Sequence, residues 1–391
     1  MKIRQISTYI KRGITPSYVK QNGIPVVNQK CIKNGLINKE YIKLTRVDKN
    51  YTKGKRLQKG DILINSTGFG TLGRVAYVDN NYYAYADSHV TILRIDGYDQ
   101  KFLYYYLRNI EKYVETLGKG STNQIELSTD AISDICIPGF PINKQLRIAD
   151  ILSAYDDLIE NNQRQIKLLE EAAQRLYKEW FVDLHFPGWE NTQIVNGLPD
   201  GWEKYTFAEK VDIMSGGTPK TDVPKYYEGN IPFYSPKDSD GSFFAFDTQT
   251  HISQEGLDSC NSKYYEEGTI IITARGTVGK TTILAKPMAM NQSCYALKCN
   301  SLDAPYYLFF SLNQEVAALK GMANGGVFDT IIVKTFERIY IAFPNSNLIQ
   351  KFEKYVKPYM EEIKLKIEMT SLLAEARDRL LSKMMSGKIE L

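Results

Sequence analysis

Histidine is scarce in this chain. Only His89, His185 and His251 occur among 391 residues. No two lie at the spacing that metal ligands on one helix require, which argues against a histidine-built metal centre. The five cysteines, Cys31, Cys136, Cys260, Cys294 and Cys299, include no C-x-x-C pair. Neither a structural zinc site nor a disulfide framework follows from them, and a reducing compartment is predicted. No run approaches the ~18 apolar residues of a membrane span. The opening "MKIRQISTYIKRG" lacks the apolar core of a signal peptide. A soluble, cytoplasmic protein with no membrane partner is predicted. Charge is nearly balanced, with a net +4, which permits a nucleic-acid partner without requiring one.

Catalytic signatures are missing as well. There is no Asn/Asp-Pro-Pro-Tyr/Phe segment, the mark of an adenine methyltransferase site. No paired acidic motif with a lysine reads as a nuclease centre. His89 and Cys294 fall in apolar strand contexts and are predicted to be packing residues. Two stretches nevertheless look like nucleotide loops. "GFGTLGRVA" (68–76) fits G-x-G-x-x-G, and "ARGTVGKTT" (274–282) is one glycine short of a P-loop, with Ala274 in the first glycine's place.

What the chain does contain is itself, twice. "RGITP" (12–16) recurs as "GGTP" (216–219), and "NGIPVVNQK" (22–30) as "GNIPFYSPK" (229–237). "KGDILINSTGFGTLGRV" (59–75) recurs as "EGTIIITARGTVGKT" (267–281). "FLYYYL" (102–107) returns as "YLFFSL" (307–312), and "ICIPGFP" (135–141) as "IYIAFP" (339–344). Matching positions lie about 205 residues apart and keep their order, which points to duplication. Short alternating runs such as "DILIN", "RVAYV", "VTILRI", "TIIIT", "TTILA" and "YALKC" predict strands. "DQKFLYYYLRNIEKYVETL" (99–117) and "APYYLFFSLNQEVAALKGM" (304–322) predict helices.

Each repeat closes on a long helical segment that follows a proline. In 141–181 the apolar seam is read as Ile148, Ile151, Tyr155, Leu158, Ile166, Leu169, Ala173, Leu176 and Trp180. In 347–385 it is read as Ile349, Phe352, Val356, Tyr359, Ile363, Ile367, Leu373, Ala376, Leu380 and Met384, with a kink or restart at Pro358. About forty residues make ~60 Å of helix. A stripe that long needs a partner, and antiparallel pairing of the two is expected. The fold class predicted is α+β: two duplicated mixed α/β domains separated by two long, antiparallel, coiled-coil-like helices about a pseudo-twofold axis. The boundaries read are 1–142, a spacer helix at 143–182, linker and second domain at 183–345, and a second spacer helix at 346–391.

The duplication reinterprets the glycine loops. Both nucleotide motifs need a helix to begin after the glycines, so that its amides hold phosphate. Here "RVAYVDNN" and "KTTILAKP" read as strands. The shared signal is Gly-Thr-x-Gly followed by Arg74 or Lys280, a tight hairpin whose basic residue can reach a backbone phosphate. Two modules on a helical spacer suit duplex DNA read at two separated half-sites, which differ because the repeats differ.

Three further segments carry a family resemblance. "KQLRIADILSAYDDLIENNQRQIKLLEEAAQRLYKEWFVD" (144–183) resembles the central conserved region of type I restriction–modification specificity subunits. "AEARDRLLSKMMSGKIEL" (374–391) is similar to their C-terminal conserved region, and "NGLPDGWEKY" (196–205) to the opening of their second target-recognition domain. At its start the chain shows no counterpart of that Leu-Pro-x-Gly-Trp lead. The resemblance implies target-recognition domains that read a split DNA site, and helices that set the gap and dock the methyltransferase subunits, expected to be two. It implies no chemistry of the chain's own. S-adenosylmethionine and ATP would be bound by partners, the methyltransferase and the restriction motor-nuclease subunits.

Candidate base readers are polar loop residues beside the glycine hairpins and Ile-Pro turns. In the first domain these are Lys11, Arg12, Thr15, Asn28, Lys30, Thr71, Arg74, Ser88 and Gln124. In the second they are Ser215, Thr218, Lys220, Lys237, Arg275, Thr277, Lys280 and Gln292. Two other readings stay open at this point: a nucleotide-binding enzyme working through the glycine loops, and a structural adaptor that binds protein rather than DNA.

Overall fold

Each of the alternating runs becomes a strand, because Val, Ile and Thr fill a pleated, buried surface well. The computed structural model describes residues 1–46, 53–80, 83–120, 125–322 and 330–389. They form two units. One comprises Met1–Ile159 with Leu372–Leu391, the other Glu160–Ser371. The division falls inside both long helices, so each unit contains part of each helix.

In the first unit an antiparallel sheet runs in the spatial order Ser7–Arg12, Val90–Ile95, Ile62–Asn65, Val75–Tyr77. In the second unit the order is Val211–Ser215, Cys294–Cys299, Ile270–Thr273, Thr281–Leu284, again antiparallel. A further strand, Phe244–Ala245, joins the last of these in parallel. Each unit also holds one parallel pair: Val26 and Val27 opposite Tyr85 and Ala86, and Phe233 and Tyr234 opposite Ala289 and Met290. The order and pairing of the four antiparallel strands, and the parallel pair beside them, are shared by both units and are the duplication seen in three dimensions.

The long helices are Ile142–Tyr177 and Ser346–Met385. Asn345 opens the second, its side-chain oxygen accepting from the Leu348 amide at 3.0 Å. In the first unit Ile148 and Leu152, near the start of one helix, share a core with Leu381 and Met384, near the end of the other. In the second unit the end of the first helix meets the start of the second. The Tyr177 and Trp180 rings lie 6.0 and 5.9 Å from that of Phe352. Both contacts have the antiparallel sense.

The helical seam departs from its sequence reading. Leu158 is half exposed and Ile159 is buried, while Tyr359 is exposed and Met360 fully buried. Leu152 and Tyr177 replace Ile151 and Leu176 as the buried positions. Neighbouring apolar residues sit ~100° apart on a helix, and the surface opposite decides which turns inward. Nor does the helix restart at Pro358, which lies on its exposed side within one continuous element.

Buried charge pins the helices in the first unit. Arg377 donates from Nη1 to Asp156 at 2.6 Å and also pairs with Asp378 at 2.9 Å. The Tyr105 hydroxyl donates to the other Asp156 oxygen at 2.6 Å. Arg377 is buried, so both partners must stay in register for its charge to be compensated.

Candidate nucleic-acid interface

Both glycine stretches are turns between antiparallel strands, not entries into helices. Strand Ile62–Asn65 pairs with Val75–Tyr77, and Ile270–Thr273 with Thr281–Leu284. No helix terminus follows the glycines to hold a phosphate, which removes the nucleotide-loop geometry. The frame is the same in each unit. The Asn65 amide donates to Arg74 O and Gly73 N to Asn65 O, both at 2.9 Å. Thr273 N donates to Lys280 O at 2.9 Å and Gly279 N to Thr273 O at 2.8 Å. Gly68, Gly70, Gly73, Gly276 and Gly279 all have positive φ, which glycine adopts without a Cβ clash.

A second loop stands beside each hairpin. Asp87 accepts the His89 amide at 2.9 Å, and Asn291 accepts the Ser293 amide at 3.0 Å. The loops are tied to the hairpins through His89 O and Ser293 O, which accept from Ser66 N at 2.8 Å and Ala274 N at 2.7 Å. Burial pushes the Asp87 carboxyl above its ordinary range, opposed by the hydrogen bond from His89. A third loop, Gly13 to Pro16 or Gly216 to Pro219, crosses the same backbone closely. A short helical turn completes each set, Gln29–Cys31 or Pro236–Asp238, with Lys30 or Lys237 exposed on it.

The sequence-selected residues gather here unevenly. Thr218 and Gln292 are hydrogen-bonded side chain to side chain. Thr277 donates to Pro236 O at 3.4 Å, and its exposed neighbour Arg275 lies on the same turn. Lys280 and Ser215 are exposed at strand ends beside the loops, and Thr15 is exposed after Gly13. Lys220 is exposed beyond its turn, and Lys11 is exposed on a strand with its ammonium 5.6 Å from the Tyr9 ring centroid.

Several of the others are committed to the fold. Asn28 is buried; its oxygen caps Lys30 N and its amide donates to Tyr41 O. It shapes the loop and presents no polar edge outward. Arg12 donates to Ser88 O at 3.3 Å and Leu127 O at 3.0 Å and pairs with Glu126 at 2.6 Å. Arg74 closes its own turn on Gly70 O at 2.7 Å, and Thr71 closes it on Gly68 O at 3.3 Å. Gln124 lies outside the described residues.

The structure adds residues that sequence reasoning passed over. Thr67 meets His89 Nδ1 at 2.7 Å and donates to Gln29 Oε1 at 3.1 Å. His89 is therefore an exposed hydrogen-bonding group, not the packing residue expected. Cys294 is buried, as expected. Thr67 stood immediately before the glycine motif; Gln29 and His89 gave no signal, since their loops meet it only in the fold. Together the loops offer backbone amides, hydroxyls, amides and cations on a rigid strand frame, the groups that bind phosphates and base edges.

The family model for the type I restriction modification DNA specificity domain matches residues 1–171 and again 199–369. The chain belongs to that family, and the two matches are the two repeats. It is similar to the type I restriction enzyme MjaIX specificity subunit of Methanocaldococcus jannaschii, at 27% identity over 99% of this chain and 92% of that one. It is also similar to the HindI specificity subunit of Haemophilus influenzae, at 24% identity over 99% and 97%. The crystal structure of the type I S subunit from M. genitalium has the same fold, with a TM-score of 0.60 at 20% identity over 98% of this chain and 95% of that one. A DNA specificity subunit of a type I restriction–modification system is thus the class to which this chain belongs.

Proposed function

We propose that each unit reads one half of a bipartite, asymmetric duplex DNA site, and that the two long helices fix the gap between the halves. The observation that carries this reading is one loop frame present twice with different side chains on it. Thr67-Gly68-Phe69 stands on the first hairpin and Arg275-Gly276-Thr277 on the second. A shared frame with altered readers suits two unlike half-sites. In this reading the chain has no chemistry of its own. Two methyltransferase subunits dock on the helices and methylate adenine with S-adenosylmethionine, and motor-nuclease subunits driven by ATP cut unmodified DNA. Work on host DNA places the assembly in the cytoplasm, a setting that suits the five free thiols.

The test is methylome sequencing of cells carrying this chain with its methyltransferase partner, followed by duplex binding by the purified complex. A split adenine-methylated motif with two different halves is expected. Affinity for it should fall steeply with salt as phosphate contacts release counterions. A contiguous motif, or binding without sequence preference at moderate salt, would overturn the reading.

A further inference from the structure

Phe69 is 87% exposed, more than any other large apolar side chain among the described residues. Single surface hydrophobics are common and need no explanation, but this one is held out by construction. It stands between Gly68 and Gly70, with φ of 105° and 69°. The turn around it is tied by Arg74 to Gly70 O, and by the Thr71 and Leu72 amides to Gly68 O at 3.2 and 3.1 Å. Leu72 anchors the loop in the core. A Cβ on Gly68 would meet Thr71 Oγ1 at 2.6 Å, so the space on that side of the turn is already taken. At the base of the loop lie the hydrogen-bonding groups of Thr67, Gln29 and His89.

The second unit lacks this device. Six positions separate Thr273 from Gly279, where eight separate Asn65 from Gly73 within the same pair of anchoring hydrogen bonds. The shorter loop carries exposed Arg275 and no aromatic, and its apolar residues, Ala274 and Val278, pack in or on the core.

We infer that Phe69 is a wedge. Its ring enters the base stack of the half-site read by the first unit and partly unstacks one step, while the second half-site is read without such distortion. An apolar side chain on a stiff support, rimmed by polar groups, suits that task, since inserted apolar side chains unstack and kink duplex DNA. The inference rests on the DNA-reading role proposed above and adds a deformation step to it.

The experiment uses the complex of this chain with its methyltransferase subunits. The probe is the methylated motif as a duplex, carrying 2-aminopurine at successive positions of each half. Wild type and Phe69→Trp should raise the fluorescence at one step of the first half-site and at none of the second. Phe69→Ala should lose that rise and bind on the order of tenfold more weakly. Its salt dependence should be unchanged, because no phosphate contact is removed. A Phe69→Ala complex that keeps the fluorescence rise overturns the wedge. So does one that loses affinity when the wild type shows no unstacking, or one whose defect lies in assembly with the methyltransferase. If the wild-type complex has no motif preference, the DNA-reading role itself fails, a result separate from a preference without unstacking.

Discussion

Gly13 and Gly216 show how two loops can demand the same residue for a reason invisible in the chain. A Cβ on Gly13 would meet Ala86 O at 2.1 Å, and one on Gly216 would meet Asn291 O at 2.1 Å. The clash is with backbone from a distant part of each repeat, which cannot swing aside as a flexible side chain can. Gly13→Ala and Gly216→Ala should therefore each cost about 3 kcal/mol, by denaturant unfolding of the variants. Gly70 provides the contrast. Its φ is +69°, with no heavy atom within 4 Å of the added Cβ, so Gly70→Ala should cost only about 1 kcal/mol through backbone strain. The sequence marked these glycines as repeats but could not separate close approach from turn geometry. Asn28 and Arg12 show a related blindness. Polar type and loop position were visible, but not the carbonyls that engage their side chains.

At the scale of elements, Glu353 joins two helices in the second unit. It lies on the second long helix, and its carboxylate accepts the Tyr307 amide at 2.7 Å, in the first turn of helix Pro305–Met322. Burial is the main cause that lifts its pKa from 4.5 to about 7, and Asp303 nearby adds to the lift; hydrogen bonds from the Tyr306 and Tyr307 amides oppose it. The folded pKa is raised above the unfolded one. Its contribution to stability is therefore full below pH 4.5 and lost as pH rises through about 7. Glu353→Gln keeps an acceptor for the helix end and removes the buried charge. Thermal unfolding should show the variant gaining on wild type between pH 5 and pH 8; a constant difference across that range would refute the assignment. The long helices and the strands were legible as elements because their periodicities are local. The inward face of each helix was misplaced by one residue at Leu158 and Tyr359, since two adjacent apolar stripes compete and only the opposing surface chooses between them.

The whole molecule puts the ruler hypothesis to the test. Adding seven residues to each long helix, within 160–170 and within 361–371, lengthens both by ~10 Å and nearly preserves the phase of the seam. At about 3.4 Å per base pair, the gap in the recognised motif should widen by about three, as methylome sequencing would read. An unchanged gap would mean that something other than the helices sets it. Sequence alone determined the duplication, the two long helices, the hairpin nature of the glycine loops and the family, because each is written in short-range order or in a motif. Only the tertiary structure decided which loops share a surface, which of the selected side chains are committed to the fold, and that Phe69 stands alone in water while Arg275 takes the corresponding turn. Those outcomes depend on contacts between residues far apart in the chain, where backbone hydrogen bonds fix the loop frame and leave the remaining side chains facing outward.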